Sequence, residues 1–95
     1  MSVNKKKVFQ KLLVAWGMDS ILDKTQEECG ELIHAIAKNR YKNRRAYVVE
    51  EAAHVKLMVE RLIAALEAEE EVEREIEQKL AKWLARVEQS FRSEK

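Results

Sequence analysis

Four side chains in two short stretches have the types and the spacing of a metal site. Glu28 and Glu31 lie three residues apart, and so do Glu51 and His54. On a helix, residues three apart share a face, with Cβ atoms roughly 5–6 Å from one another. If the two helices pack antiparallel, the four side chains converge, and three neighbouring carboxylates then need a cation to stay ionised. The pattern predicts a site for a hard divalent ion such as Mg²⁺, which leaves room for water and a substrate phosphate.

The spacing of apolar residues predicts the helices that position these stretches. It indicates a short helix over 4–16, a second over 20–39 that carries the first pair, and a third over 46–66 that carries the second pair. Gly17 is expected to end the first helix in a left-handed conformation. Nothing marks the next turn, which we place near 68–70, before a last helix that reaches about residue 91.

Two features of these helices have more than one interpretation. The basic segment 39–45 is either a solvated connection or a source of cations near a bound polyphosphate. Gly30 lies inside the second helix, where glycine costs about 1 kcal/mol relative to alanine. Either the close approach of another backbone or the need for room beside the acidic cluster would offset that cost.

Length and composition predict one all-α domain over 1–95, with 1–4 and 93–95 frayed. The 95 residues are 46% hydrophobic and 37% charged and include no proline, which is typical of amphipathic helices. The net charge of +1 gives no strong attraction to nucleic acid. A single cysteine fits a reducing compartment, and no apolar run approaches the ~18 residues of a membrane span. We expect a soluble cytoplasmic protein with no membrane or nucleic-acid partner.

The third predicted helix indicates an oligomer. Leu57, Met58 and Val59 make it apolar on more than one side near its middle, and a chain this short cannot cover such a helix alone. We therefore expect four to five helices whose core is shared between two copies. Trp16 and Trp83 are expected to anchor the core or the interface rather than to stack on a nucleobase.

The two stretches together resemble the MazG-like, all-α nucleoside triphosphate pyrophosphohydrolases. The pattern of that family is EExxE, a spacer, then ExxD. The first half is present as Glu27, Glu28 and Glu31, and the second half is Glu51-Ala52-Ala53-His54. Further similarity over 16–23, 28–36, 49–55, 58–62 and 79–86 extends the resemblance to most of the chain.

The resemblance implies a fold, a reaction and roles for individual residues. Such proteins are MazG-like helical dimers, or tetramers of dimers, that use Mg²⁺ to hydrolyse a nucleoside triphosphate to the monophosphate and pyrophosphate. Glu28, Glu31, Glu51 and His54 would take the metal-ligand positions, and Glu27 would be an auxiliary carboxylate that orients or activates water. The residues implied to contact phosphate are Lys79, Lys82 and Arg86.

His54 departs from the family pattern, because the family has aspartate at that position. Imidazole suits transition metals better than Mg²⁺ and removes one negative charge from the cluster. Three hypotheses follow. Activity persists with an altered metal preference, such as Mn²⁺; the scaffold has lost most activity; or the site serves a transition metal, with His34 or Cys29 contributing. The competing class is a non-enzymatic helical oligomerisation module, natural or engineered, in which the glutamates are a solvated face.

Overall fold

The chain is helical throughout the part that the structure describes, residues 4–42 and 44–93 of a computed structural model. Its elements are α1 (Lys5–Lys42), α2 (Arg45–Leu66) and α3 (Glu69–Ser93). No strand occurs among these residues, so the all-α prediction is confirmed. The described residues form three helical elements, and the first of them, α1, consists of two helical segments that meet at Gly17, in agreement with the predicted helices over 4–16 and 20–39. Residues 1–3, 43, 94 and 95 and the side chains at 40–42 lie outside the described part, including most of the basic segment.

Asn4 caps the first helix. The backbone N–H of Lys7 donates to Asn4 Oδ1 at 3.2 Å, and that of Val8 donates to the Asn4 carbonyl at the same distance. Asparagine is favoured at this position because its side chain accepts from an N–H that has no partner inside the helix. The start of α1 therefore matches the predicted start at residue 4.

Gly17 interrupts α1, so that its two helical segments meet there at a bend. Its dihedral angles are φ 78° and ψ 174°, in a region of the Ramachandran map that is essentially restricted to glycine. Lys5 and Trp16 both precede Gly17 and would be about 16 Å apart along a straight helix. They nevertheless contact adjacent residues of α2, so this segment crosses α2 and does not run alongside it. The Lys5 Nζ atom lies 2.9 Å from Glu60 Oε2, and the Trp16 ring centroid lies 5.9 Å from Arg61 Cζ. The bend thus folds the first segment of α1 across the end of α2.

Beyond Gly17, α1 packs antiparallel against α2. Trp16 lies beside Arg61 near the end of α2, and Glu28 lies beside His54 near its start. The fully buried apolar side chains of the described residues are Ile21 and Ala35, both on α1. The pairing brings the two predicted ligand stretches to one place, but it encloses a very small core.

A left-handed residue at Glu67 ends α2. Its φ of 53° and ψ of 43° allow the N–H of Glu67 to donate to Ala64 and that of Ala68 to donate to Ile63, each at 3.1 Å. These two bonds define a Schellman motif, which usually has glycine at the left-handed position. The turn falls at Glu67 and Ala68, directly before the predicted position at 68–70.

The last helix, α3, extends away from the other two. No Cα atom of α3 lies within 8 Å of one in α1, and α3 meets α2 at few positions. The radius of gyration is 17.5 Å, whereas a compact domain of this length has about 12–13 Å. The accessible surface is 8181 Å², against about 5,700 Å² for a typical monomer of 11.1 kDa. The single chain therefore exposes more surface than a compact monomer of its mass, including many large apolar side chains.

None of the three helices, within the residues described, is long and apolar enough to cross a membrane.

The two glycines of α1 should respond in opposite ways to alanine. Nothing lies within 4 Å of a Cβ built at either position, so steric clash does not distinguish them. Gly17→Ala forces alanine into a glycine-only conformation and should destabilise the fold by about 1–3 kcal/mol. Gly30→Ala should stabilise it by up to about 1 kcal/mol, because position 30 is ordinary helix. Urea unfolding of both variants measures the difference, and a Gly17→Ala variant as stable as the parent would contradict the assigned bend.

The open space beside Gly30 also bears on why glycine occupies that position. No atom outside the local helix approaches it within this chain, so the close approach of another backbone is not found among the described residues. Loss of stability in Gly30→Ala would therefore indicate that a second molecule covers position 30.

Candidate metal centre

Two buried carboxylates face each other between α1 and α2. Glu28 and Glu51 are each only 6% exposed, although both are charged residues in a chain with a very small core. The Oε2 atoms of both side chains are buried and accept no hydrogen bond from the protein. Carboxylates are almost never buried without a partner, because the loss of hydration is not repaid. A cation bound between them would supply the partner that these oxygens lack.

His54 lies at the rim of this pair. Its Nδ1 atom is 3.4 Å from Glu28 Oε2 and 3.7 Å from Glu51 Oε2, and its side chain is 46% exposed. Both distances exceed the usual 2.7–3.2 Å of an N–H···O hydrogen bond. The imidazole therefore lies next to the two orphaned oxygens without satisfying either of them.

Glu31 and Glu27 extend the cluster toward solvent. One carboxylate oxygen from each of Glu27, Glu28 and Glu31 lies within 4.8 Å of the others. The pKa of Glu31 is raised, mainly by the negative charge of Glu28. Partial desolvation, the negative charge of Glu51 and a hydrogen bond with Glu51 raise this pKa further. All four predicted ligand residues and the auxiliary Glu27 thus belong to one electrostatically coupled group.

Lys24 neutralises the outer side of the cluster. Its Nζ atom lies 3.3 Å from Glu28 Oε1 and 3.5 Å from Glu27 Oε1, and the pKa of Lys24 is raised, mainly by hydrogen bonding to Glu28. Sequence reasoning did not select this residue, although its spacing of three and four to the two glutamates is the signal for such pairs. Lys24 occupies Oε1 of Glu28 and leaves Oε2 for the inner site.

The inner donor set fits a divalent cation. Atoms that bind one ion at about 2.1 Å lie roughly 3 to 3.5 Å from one another. The separations of 3.4 and 3.7 Å between His54 Nδ1 and the two buried oxygens are close to that range. Two carboxylates and one imidazole suit Mn²⁺, Co²⁺ or Zn²⁺ as well as Mg²⁺, since the nitrogen ligand favours the transition metals.

The remaining predicted residues are not brought to the cluster within one chain. Lys79, Lys82 and Arg86 are exposed on α3, which does not approach α1 in the described residues. Their contact with a phosphate group stays a prediction. His34 is exposed, Cys29 is half-buried with a free thiol, and neither belongs to the ligand groups found in the described part of the chain.

Arg61 is a buried charge that sequence reasoning also missed. It is 3% exposed, and its Nε and Nη2 atoms have no hydrogen-bond partner. The exposed Trp16 ring covers the guanidinium at a distance typical of a cation–π contact. A spacing of ten residues on a helix does not by itself place Glu51 and Arg61 on one face, so the burial of Arg61 could not be predicted from periodicity.

Comparisons with known proteins give no relative. No protein-family model, no curated protein and no solved structure matches this chain. The geometry of the cluster and the resemblance of its motif are therefore the basis for assigning a function.

Neutralising Glu31 should stabilise the metal-free protein. A raised pKa means that the folded state holds the proton of Glu31 more tightly than the unfolded state does. Glu31 therefore contributes favourably to stability below its unfolded pKa of about 4.3, and this contribution is lost as pH rises through its pKa in the folded state. Glu31→Gln should accordingly raise the melting temperature at pH 7 in the presence of a chelator. The gain should shrink near pH 4, where Glu31 itself takes up a proton.

Glu60 supplies the control with the opposite sign. Its pKa is lowered, mainly by hydrogen bonding to Lys5, so its contribution is present at neutral pH and is lost as pH falls. Glu60→Gln should lower the melting temperature at pH 7. Equal shifts of the same sign in both variants would contradict the assigned electrostatics.

Proposed function

We propose that this protein is a divalent-metal-dependent nucleoside triphosphate pyrophosphohydrolase, which cleaves between the α- and β-phosphates to give the monophosphate and pyrophosphate. The observation that carries the proposal is the pair of buried, unpartnered Glu28 and Glu51 oxygens beside His54. The order and spacing of the EExxE motif and of Glu51-Ala52-Ala53-His54 support the assignment to MazG-like chemistry.

Each residue of the cluster has a proposed role. Glu28, Glu51 and His54 hold the cation from inside, and Glu31 does so from the solvent side. A bound divalent cation supplies positive charge to the phosphate oxygens, where negative charge develops during the reaction. Glu27 lies on the exposed side of α1, where its carboxylate is available to orient the attacking water and to accept its proton.

His54 determines the proposed metal preference. Mg²⁺ prefers oxygen ligands, while imidazole binds Mn²⁺, Co²⁺ and Zn²⁺ more strongly. We therefore take Mg²⁺ as the family ion and Mn²⁺ as the ion that this donor set favours relative to a site with four carboxylates. The proposed enzyme is also a homo-oligomer, because one chain exposes far more surface than a stable monomer does.

The second candidate function is a helical assembly module without catalysis. The observation that favours it is the apolar face of α3, which no other part of the described chain covers. A module of this kind has no need for two buried, unpartnered carboxylates. The cluster is thus the feature that distinguishes the two candidates.

Pyrophosphate release tests the enzymatic proposal. The protein should release pyrophosphate from at least one nucleoside triphosphate in the presence of Mg²⁺ or Mn²⁺. Glu51→Gln removes a ligand charge and should lower that rate by at least about 100-fold. Glu50→Gln, a change of the same kind at an exposed neighbouring position, should leave the rate within about twofold.

The two variants also identify contamination. Release that survives in Glu51→Gln at the level of Glu50→Gln would come from another enzyme in the preparation. The absence of release with every nucleotide and metal pair would contradict the proposed reaction.

Thermal unfolding with different cations tests the role of His54. A cation present at about ten times its Kd stabilises the fold by about 1.4 kcal/mol, which raises the Tm of a chain this size by roughly 5–10 °C. The parent should respond more strongly to Mn²⁺ than to Mg²⁺. His54→Asp should increase the response to Mg²⁺ and decrease the response to Zn²⁺, because an oxygen ligand replaces imidazole.

The matched control is His34→Asp, which makes the same exchange at an exposed position of α1 outside the cluster. It should respond to each cation as the parent does. If no cation raises the Tm beyond the effect of equal ionic strength, the metal site is wrong and the assembly module is favoured.

A further inference from the structure

The face of α3 that carries its large apolar side chains is exposed along almost the whole helix. The side chains concerned are 44–65% exposed: Ile76, Leu80, Trp83, Leu84, Val87 and Phe91. They recur at intervals of three and four residues and so form one stripe, the α3 stripe. Near the α2–α3 turn the helix is partly covered, where Val72 and Phe9 line a common cleft. Beyond that turn, no other part of the described chain reaches it.

The amount of exposed surface indicates the size of the interface that would bury it. The chain exposes about 2,500 Å² more than a typical monomer of its mass, whereas a standard protein interface buries about 800 Å² on each partner. Two aromatic rings and four aliphatic side chains on one 25-residue helix are a patch that soluble proteins rarely leave in water. The excess exposed surface of the chain is therefore large enough for an interface of the size found in stable dimers.

The charges of α3 specify an orientation for its partner. Residues 69–78 include six glutamates and one arginine, a net charge of −5. Residues 79–93 include Lys79, Lys82, Arg86 and Arg92 against Glu88, a net charge of +3. Two such helices side by side and parallel would place like charges together. Arranged antiparallel, each acidic half lies against the basic half of the other helix.

We propose that the α3 stripe is the contact between two copies of this chain, whose α3 helices pair antiparallel about a two-fold axis near residue 81, the middle of α3. A two-fold contact uses the same surface on both copies, so the stripe covers itself and the acidic end of each helix lies against the basic end of the other. The pairing does not depend on the proposed hydrolase activity. It places Arg86 of one copy level with residues 75–77 of the other, which include two glutamates.

The mass of the assembly in solution tests the surface. The full chain should be an oligomer by light scattering after size exclusion, and Leu80→Glu should halve its mass and weaken association by at least about 100-fold, because a charge would be buried in an apolar contact. Ala85→Glu adds the same charge to the opposite face of α3 and should keep the parent mass. A monomeric parent, or an oligomer equally intact in Leu80→Glu, would overturn the proposal.

Cross-linking tests the orientation without disturbing the centre of the stripe. Single-cysteine variants with Val72→Cys or Ser90→Cys, both made with Cys29→Ser, place a thiol near either end of α3, about 27 Å apart along the helix. The two variants are mixed, and one of them carries a tag so that the products can be told apart. If the helices pair antiparallel, most disulfides should join a Val72→Cys chain to a Ser90→Cys chain. Disulfides formed by each variant with itself would indicate parallel helices, since a disulfide spans less than 7 Å between Cα atoms. That outcome, or the absence of any disulfide between chains, would overturn the antiparallel pair.

Discussion

The burial of Glu28 and Glu51, each with an inner oxygen that lacks a hydrogen-bond partner among the described residues, is the constraint on which the centre of this structure depends. The antiparallel packing of α1 and α2 brings two carboxylates into a place where water does not solvate their inner oxygens. Lys24 offsets the charge only at the outer oxygen of Glu28, and His54 lies just beyond hydrogen-bond distance of both inner oxygens. A pair of apolar residues would hold these helices together more firmly. The two buried carboxylates therefore reduce the stability of the free protein relative to an apolar contact.

The helices and the cluster could be predicted from the sequence because both depend on local periodicity. The three-residue spacings of Glu28 with Glu31 and of Glu51 with His54 required only that both segments be helical and antiparallel. The cap at Asn4 also agrees with a local signal, because asparagine is favoured at the start of a helix. By contrast, Glu67 takes a left-handed conformation that glycine usually adopts, so the end of α2 had no clear marker.

The features that could not be predicted depend on distant parts of the chain. Gly17 separates two helical segments, as its position suggested, but no local signal gave the direction of the bend, which brings Lys5 to Glu60, a residue 55 positions away. Burial of Arg61 beneath Trp16 is likewise a product of that bend. The apolar stripe on α3 could be recognised from its spacing, but the spacing alone does not tell whether the rest of the chain covers it. Its exposure depends on the direction in which the helix leaves the turn.

The separation of α3 from α1 has a consequence for how the molecule opens. Beyond its first turns, α3 has few tertiary contacts in the described chain, and a helix without tertiary packing is only marginally stable in water. Amide protons of α3 in a free chain should therefore exchange with solvent much faster than those around Ile21, and proteases should cut α3 first. Protection of the α3 amides from hydrogen exchange thus reports, residue by residue, whether α3 is bound to another molecule.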